Sequence, residues 1–383
     1  MARIYLDARN ITAEPAGVAR YARCLIPELV AQGKDHEFIV IRHASNRTPL
    51  ELDGPLKEVF IDRPIDNLSN FLFGSRSLRQ VFATNGPADL YHDLFHILPR
   101  GAARANPGAP CKVVVTLHDF VWIDHARDSQ SSWLSAKTIE IFARSAIPHA
   151  LRAADHVISI SEPTTARATA YIDAERITTI PHGVTPEFFA HTASTTRAFS
   201  EPYVVAVGND KRYKNLHLLI EAFAIARKKL TRGHLVLIGN CKGLDDAIAQ
   251  AGISEHVTRT GFLSDEALRD ALASAQLFVF PSLVEGFGLP ILEAMAMGVP
   301  TLVCDLEPMR TIGADAALRF SPHDATALAT LIERVFEDES LHTRLASAGR
   351  ARASEFRWPL TAEKTLAVYE RVLSTPQFVD TSS

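Results

Sequence analysis

Residues 277–303 read LFVFPSLVEGFGLPILEAMAMGVPTLV, and this stretch decides the fold. A short apolar run leads through a glycine-proline turn into a helix-forming segment, and a second apolar run follows at once. This order is typical of two parallel strands joined by a helix, in a sheet that is covered on both faces. The stretch also carries Glu285 and Glu293, one on each side of Pro290. The sequence therefore places two carboxylates beside the end of a buried strand.

The same alternation of short apolar strands and longer helical patterns runs through the whole chain. Helical spacing of apolar residues is clear, for example, at 17–31 and 215–229. The pattern starts afresh near residue 200, and the Thr-, Ser- and Pro-rich stretch 182–202 is the predicted linker. The sequence thus predicts two doubly wound α/β domains. The predicted strands are 3–7, 37–41, 112–117 and 156–160 in the first half, and 203–207, 234–238, 277–280 and 299–303 in the second.

Composition excludes several classes of protein. With 383 residues, 47% of them hydrophobic, the chain can build two cores of ordinary size. A formal net charge of −4 without long basic runs does not favour nucleic-acid binding. The four cysteines are scattered without metal-ligand or paired spacing, which fits a reducing cytoplasm. An apolar signal segment at the N-terminus and an apolar run of membrane-spanning length are both lacking, so neither secretion by that route nor a spanning helix is expected.

Ligands of open α/β sheets bind beyond the carboxyl ends of the strands, so the loops that follow strands hold the candidate site residues. Gly17, in Ala16-Gly17-Val18, precedes a helix whose N-terminal amides could meet an anion, although an ordinary turn fits equally well. His118 and Asp119 follow the strand 112–117. This histidine could orient a hydroxyl or exchange a proton near neutral pH, whereas a structural histidine is the commoner case.

Two loops in the second half carry charge. The turn after the strand 203–207 carries three cations, Lys211, Arg212 and Lys214. Three cations in one loop are usually no more than a solvated surface, but the position of this loop after a strand favours binding of a diphosphate. In the other loop, Glu285 hangs from the turn and Glu293 falls in the first turns of the following helix. Both carboxylates could accept hydrogen bonds from a polyol, while Glu293 could alternatively cap free amides near its helix start.

The segments EGFGLPILEAMAMGVP and VAVGNDKRYKNLHLLIEAF resemble the signature and the phosphate loop of retaining GT-B glycosyltransferases of family 4. The resemblance extends to LDARNITAEPAGVARYARCLIPEL, VVVTLHDFVW, HVISISEPT, ITTIPHGVTPEFF and FRWPLTAEKTLAVYERVL, and so covers most of the chain. It implies two Rossmann-like domains that face a central cleft. The implied boundaries are 1–190 for an acceptor-side domain, 200–358 for a nucleotide-sugar domain, and 359–375 for a helix that crosses back to pack on the N-terminal domain.

The resemblance also implies roles for single residues. Glu293 matches the residue that binds the ribose hydroxyls, and Glu285 matches the one that holds the transferred sugar. Lys214 matches the lysine on the diphosphate, but the arginine usually near it is displaced, so Arg212 or Lys211 would take its place. Gly261-Phe262-Leu263 matches the segment that meets the nucleotide base. The implied catalytic residues are His118, Lys214 and Glu285, and the implied donor-binding residues are Gly17, Lys211, Arg212, Phe262, Leu263, Phe287, Gly288, Leu289 and Glu293.

The implied activity is transfer of a hexose, with mannose favoured, from a nucleoside-diphosphate sugar with retention of anomeric configuration. GDP-mannose is favoured over a UDP-hexose, and no cofactor or metal is expected because cations and helix-end amides can neutralise the leaving group. The acceptor would be a glycan or a lipid-linked molecule of bacterial surface polysaccharide synthesis, in the cytoplasm at the inner face of the cell membrane. A nucleotide-sugar epimerase of the same architecture, a non-catalytic nucleotide-sugar binding module and a pyridoxal-phosphate phosphorylase are the alternatives.

One further segment stands apart from the loops. Residues 70–82, NFLFGSRSLRQVF, combine apolar side chains with Arg76 and Arg79 at helical spacing. Such a helix either lies on an anionic membrane surface or packs on a protein core, and the second is the commoner arrangement.

Overall fold

The computed structural model describes residues 1–11, 17–50, 56–130, 132–191, 199 and 202–375. The chain divides into two compact units, each built on one parallel sheet. The first unit comprises Met1–Asp124, Lys137–Gly183 and the chain from Trp358 onward, and the second comprises His125–Ala136 and Val184–Arg357. Two doubly wound α/β domains were predicted, and this fold class is confirmed.

The strands of the first unit are β1 (Arg3–Asp7), β2 (Glu37–His43), β3 (Lys57–Ile61), β4 (Leu90–Asp93), β5 (Lys112–Leu117), β6 (His156–Ser159) and β7 (Ile177–Thr179). They pair in parallel in the order β3-β2-β1-β4-β5-β6-β7. Every residue of β5 is buried, as expected for a central strand of β-branched residues with helices on both faces.

The second unit carries β8 (Tyr203–Val207), β9 (His234–Ile238), β10 (Val257–Gly261), β11 (Leu277–Phe280), β12 (Thr301–Cys304) and β13 (Leu318–Phe320). These strands are also parallel, in the order β10-β9-β8-β11-β12-β13. The eight predicted strands are all present, although β12 begins two residues later than predicted. Strands β3, β4, β7, β10 and β13 were not predicted, because they are short and four of them mix polar with apolar residues at or near a sheet edge.

The helices in chain order are α1 (Gly17–Gln32), α2 (Leu68–Asn85), α3 (Val121–Asp124), α4 (Ala126–Ser129), α5 (Trp133–Ala153), α6 (Glu162–Ala168), α7 (Pro186–Ala190), α8 (Leu216–Arg227), α9 (Asp245–Gln250), α10 (Asp265–Ala273), α11 (Leu289–Ala296), α12 (Met309–Gly313), α13 (Ala325–Glu337), α14 (Glu339–Ala353) and α15 (Trp358–Ser374). Helix α15 belongs to the first unit and packs against α1. The predicted linker 182–202 contains α7, and its residues 192–198, 200 and 201 lie outside the described residues.

Helix α2 shows how local sequence and core packing agree. The side chain of Asn67 accepts a hydrogen bond from the Asn70 amide at 2.8 Å and so caps the helix, and Gly86, with φ of 100°, ends it. On one face Phe71 and Phe82 are buried in the core of the first unit, and Phe82 meets the Tyr5 ring edge-on at 4.8 Å. The segment 70–82 is thus a helix that packs on a protein core through one face.

Candidate functional site

Each sheet has one point where strand order reverses, and there two neighbouring strands send their following loops in opposite directions. In the second sheet this point lies between β8 and β11, and in the first it lies between β1 and β4. The loop after β8 carries Lys211, Arg212 and Lys214, and we call it the basic loop. The loop after β11 carries Glu285, and we call it the carboxylate loop. The topology therefore brings these two charged loops to one edge of the second sheet.

The basic loop is fixed by close backbone packing. Gly208, directly after β8, donates its amide to the carbonyl of Ile238 at 2.9 Å. Gly239 has φ of 111°, and a Cβ there would lie 2.0 Å from the Gly208 carbonyl oxygen. Only glycine meets both demands, because a side chain would collide with the backbone of the neighbouring strand end. The start of the basic loop is therefore held rigidly against β9.

Lys214 ends the 3-10 turn Arg212–Lys214 and forms the central contact of the site. Its Nζ lies 2.5 Å from Oε1 of Glu285, and the two side chains are only 16% and 15% exposed. The ammonium also lies 5.7 Å from the Phe280 ring, at the end of β11. A charged pair of this kind, partly shielded from water, is held in place more firmly than an exposed surface pair.

The other two cations of the basic loop are placed differently. Lys211 is half-buried and precedes the 3-10 turn, with its amide bonded to the Asn209 side chain at 3.1 Å. Arg212 begins the turn and is exposed. Asn215, with φ of 53°, then turns the chain into α8. Of the three predicted phosphate ligands, the structure brings Lys214 alone into an ion pair with a predicted sugar ligand.

The carboxylate loop is tied to the basic loop through the backbone. The amide of Leu283 donates to the carbonyl of Tyr213 at 2.7 Å, one residue before Lys214. Gly288 has φ of 121° and turns the chain into α11, whose second residue is Pro290. The predicted loop residues Phe287 and Leu289 are buried. Their amides, rather than their side chains, are the groups that could face a ligand.

Glu293 is the fifth residue of α11 and is 3% exposed. Since it lies beyond the first turn, capping the free amides of its own helix is a poor explanation for it. An ionised carboxylate buried to this extent needs hydrogen-bonding partners. Glu293 lies in the helix after the carboxylate loop, as predicted from the sequence. The carboxylate that pairs with Lys214 is that of Glu285.

The segment predicted to meet a nucleotide base follows β10, two strands from β8. The carbonyl of Gly261 accepts a hydrogen bond from the Gly239 amide at 2.8 Å, so this strand end is linked through β9 to the basic loop. Phe262 is 57% exposed, which is unusual for a large apolar side chain, and Leu263 is half-buried. The segment therefore offers an exposed ring at the same sheet edge as Lys214.

In the first unit, the predicted residues lie at the corresponding sheet edge. Gly17 is the first residue of α1 and is exposed, and a Cβ there would meet nothing within 4 Å. Ala16, which precedes it, lies outside the described residues. His118 follows β5 directly and is 2% exposed. Its Nε2 donates to the carbonyl of Leu94 at 2.8 Å.

Burial lowers the pKa of His118 to about 4, even though the hydrogen bond to Leu94 favours the charged form. The imidazole is therefore neutral at neutral pH, with its proton on Nε2 and its Nδ1 as the acceptor. The predicted proton exchange near neutral pH does not fit this site, because its environment disfavours the cation. Asp119, the next residue, accepts a hydrogen bond at Oδ1 from the Val121 amide at 2.9 Å, where α3 begins.

Sequence reasoning missed a cluster of aromatic and histidine side chains around His118. The Tyr21 ring lies 5.1 Å from that of His118 and 4.7 Å from that of His182, and His96 lies 5.8 Å from His118. Burial also lowers the pKa of His96 and His182 well below the usual range. His96 follows the unpredicted strand β4, and recognising that strand would have placed it at this edge.

A second missed group lies between β1 and β4. The Arg9 guanidinium binds Asp7 through two hydrogen bonds, at 2.6 and 2.8 Å, and both side chains are almost fully buried. Tyr91 donates to Asp7 at 2.5 Å. Burial, together with the nearby Asp7 carboxylate, raises the pKa of Asp93 to about 7. Asp7, Arg9 and Tyr91 thus bind one another at the switch point of the first sheet, and the buried Asp93 lies beside them.

Comparison with known families supports the two-part organisation. The family described as Glycosyltransferase Family 4 matches residues 15–188, and that described as Glycosyl transferases group 1 matches residues 190–352. O-antigen chain mannosyltransferase B of Escherichia coli is 30% identical over 173 residues, 44% of this chain and 45% of the relative. MMP alpha-(1->4)-mannosyltransferase of Mycolicibacterium hassiacum is 32% identical over 212 residues, 53% and 50% of the respective chains. The chain thus spans about half the length of these relatives.

Solved structures agree in fold over nearly the whole chain. Sucrose-phosphate synthase of Thermosynechococcus elongatus superposes with a TM-score of 0.75 at 22% identity, covering 98% of this chain and 100% of that one. HepE of Anabaena, solved with UDP-glucose, gives 0.73 at 18% identity, covering 97% and 100%. In the described parts of the chain, none of the helices has both the length and the apolar character that crossing a bilayer requires.

Proposed function

Because the chain belongs to glycosyltransferase family 4, we propose that it moves a hexose, with mannose favoured, from a nucleoside-diphosphate sugar to a glycan or lipid-linked acceptor. The anomeric configuration is retained, and the reaction serves bacterial surface polysaccharide synthesis in the cytoplasm, at the inner face of the cell membrane. The observation that carries this proposal is the contact between Lys214 and Glu285 at the switch point of the second sheet.

The ion pair gives the donor a defined way to bind. An incoming diphosphate carries more negative charge than one carboxylate, so it competes with Glu285 for the Lys214 ammonium. Once released, Glu285 can accept a hydrogen bond from a hydroxyl of the transferred sugar. The two members of this ion pair thus become one phosphate ligand and one sugar ligand.

The remaining donor contacts follow from the sheet edge. Glu293 is proposed to accept hydrogen bonds from the ribose hydroxyls, as its buried position in α11 limits it to well-directed partners. Phe262, exposed at the end of β10, would pack against the base. Arg212, exposed in the 3-10 turn, is free to swing toward the diphosphate without breaking a buried contact.

For the chemical step we favour attack of the acceptor on the face from which the diphosphate departs. The leaving diphosphate then takes the acceptor proton, and the protein supplies positioning and charge stabilisation. His118, neutral by virtue of its low pKa, would act as a hydrogen-bonding group and not as an acid. Neither a metal nor another cofactor is part of this scheme.

GDP-mannose is the favoured donor because the named relatives are mannosyltransferases. A UDP-hexose is the second choice, since one structural neighbour was solved with UDP-glucose.

The test is to incubate the protein with GDP-mannose or UDP-glucose and simple mannosides, and to follow the anomeric protons by NMR. We expect a new α-linked product from GDP-mannose, formed only when acceptor is present. Conversion of the donor without acceptor would favour the epimerase, and binding without any turnover would favour the non-catalytic module. A β-linked product would refute retention, and a preference for UDP-glucose would reverse the donor assignment.

A further inference from the structure

Among the described residues, exposed large apolar side chains are concentrated on two helices. In the described part of the chain, six of the eight such side chains lie on two helices of the polypeptide, α2 and α5. The two others are Met1 and Phe262. The six are Leu68, Leu72, Phe73, Trp133, Leu134 and Ile141, with exposed fractions of 56%, 39%, 46%, 64%, 69% and 60%.

Helix α2 carries two opposite apolar faces. The inner face, with Phe71 and Phe82, is buried in the core of the first unit. The outer face presents Leu72 and Phe73 to solvent, and the guanidinium of Arg76 lies 5.5 Å from the centre of the Phe73 ring. A helix that only packs on a core would have a polar outer face, so the second apolar face needs another explanation.

Helix α5 also carries an exposed apolar side chain between cations. Ile141 is 60% exposed, and it lies one turn from Lys137 and from Arg144. The carboxylate of Glu140 is bound by both cations, at 3.4 Å to Lys137 and 2.9 Å to Arg144. The single acidic residue of α5 is therefore neutralised by its own helix.

Helix α2 and the part of α5 from Lys137 onward are neighbours within the first unit, whereas Trp133 and Leu134 belong to the second unit and are not part of this surface. The Phe71 ring of α2 lies 6.0 Å from that of Phe142 and 5.4 Å from that of His149, both on α5 and both edge-on. Their exposed sides therefore belong to one stretch of protein surface. We call it the α2–α5 surface and define it by Leu68, Leu72, Phe73, Arg76, Arg79, Lys137, Ile141 and Arg144.

The charge of this surface is opposite to that of the protein. The α2–α5 surface contains four Lys or Arg residues, and with Glu140, the one acidic residue of the two helices, its net charge is +3, whereas the whole chain has a formal net charge of −4. Exposed Leu, Phe and Ile side chains among cations match the boundary between lipid headgroups and acyl chains. Each Lys or Arg near an anionic leaflet adds to the attraction.

We propose that the α2–α5 surface docks the protein on a bilayer containing anionic phospholipids. A second copy of the chain is a poorer occupant, because a symmetric dimer would place two faces of the same positive sign together. An acidic partner protein would pair with the cations, but its charge would not account for the apolar side chains that are exposed on both helices. The docking is independent of sugar transfer, although it would place a transferase beside lipid-linked acceptors.

The test measures sedimentation of the full-length protein with vesicles of phosphatidylcholine alone and with vesicles that also contain phosphatidylglycerol. We expect binding to the anionic vesicles that weakens with salt. Leu72→Ser combined with Phe73→Ser should reduce the partition coefficient at least about tenfold. Arg76→Gln combined with Arg79→Gln should reduce it by roughly tenfold to thirtyfold.

Matched controls make the result specific to the surface. Lys228→Gln with Arg232→Gln removes the same charge from exposed positions of the second unit, and Phe262→Ser removes an exposed ring there. These controls should bind vesicles like the unaltered protein, and circular dichroism should show that all variants are folded. Equal binding to neutral vesicles, no vesicle binding at all, or undiminished binding by both surface variants would overturn the proposal. A dimer that both surface variants dissociate would assign the surface to self-association instead.

Discussion

The two switch points of the molecule differ in what fills them. Between β1 and β4, Asp7 and Arg9 form a buried pair and Asp93 lies close by, so charged side chains bind one another away from water. Between β8 and β11, Lys214 and Glu285 form a pair that is still 16% and 15% exposed. The same topology thus holds a closed polar network in one sheet and a charged pair that a ligand can reach in the other.

This difference explains why the second unit carries the donor in our account. A fully buried bidentate pair is costly to break, because either partner would be left as an uncompensated charge. A partly exposed pair can exchange one partner for a phosphate at much smaller cost. A loop at a switch point is therefore a candidate ligand-binding loop. Whether a ligand can reach it depends on how far its charged side chains are exposed to solvent.

The largest expected effect concerns Lys214. Replacing Lys214 by Ala should lower kcat at least about a hundredfold at saturating donor, because negative charge accumulates on the diphosphate as the glycosidic bond breaks. Steady-state rates across donor concentrations with one fixed acceptor measure this. Arg212→Ala and Lys211→Ala serve as neighbouring controls. Near-normal kcat in Lys214→Ala, with loss of activity in either control, would move the leaving-group role to the neighbouring cation.

A smaller effect is expected at Glu293. The ribose hydroxyls do not change during reaction, so Glu293→Gln should raise the KM for donor with little change in kcat. Loss of a charged hydrogen bond is worth about 1.5–3 kcal/mol, or roughly tenfold to a hundredfold. Thermal unfolding of the variant without ligand must be measured alongside. If only the unfolding temperature falls and KM is unchanged, Glu293 is a structural residue.

The buried histidine His182 of the first unit should make the stability of the protein depend on pH. Burial lowers the pKa of His182 well below its usual 6.5. The unfolded chain therefore binds this proton as the pH falls below 6.5 while the folded protein does not, so stability is complete above 6.5 and is lost at lower pH. In His182→Phe the free energy of unfolding should therefore fall less steeply as the pH decreases below 6.5, by up to about 1.4 kcal/mol per pH unit. The measurement is urea unfolding at pH 7.5 and pH 5, with the exposed His323→Phe as control; equal pH dependence in His182→Phe and the unaltered protein would contradict it.

The smallest expected effect is at Phe262. If its exposed ring packs on the base, Phe262→Ala should raise the KM for donor by roughly threefold to tenfold, since aromatic contacts contribute about 0.5–1.5 kcal/mol beyond burial. The KM for acceptor should not change. An equal rise in both constants would mean that the loop after β10 acts on the site as a whole and not on the base.

The second unit could be predicted from sequence more completely than the first. Its apolar strands, such as β11, and its helix starts, such as that at Pro290, carry local signals that are readable without tertiary context. Strand β4 has only four residues and ends in His92 and Asp93, so its pattern gave no strand prediction. His96 and the low pKa of His118 depend on burial by distant segments, which no local pattern records. The pairing of Lys214 with Glu285, 71 residues apart, likewise needed the fold.

Donor binding to the second unit tests the central claim most directly. Thermal unfolding should be followed with GDP, GDP-mannose, UDP and UDP-glucose, for the unaltered protein and for Lys214→Ala. A nucleoside diphosphate at 100 times its Kd should stabilise the unaltered protein by about 2.7 kcal/mol, and Lys214→Ala should require a higher concentration for the same shift. Donor binding at Lys214 is contradicted if none of the four ligands stabilises the protein, or if Lys214→Ala responds to each of them as the unaltered protein does.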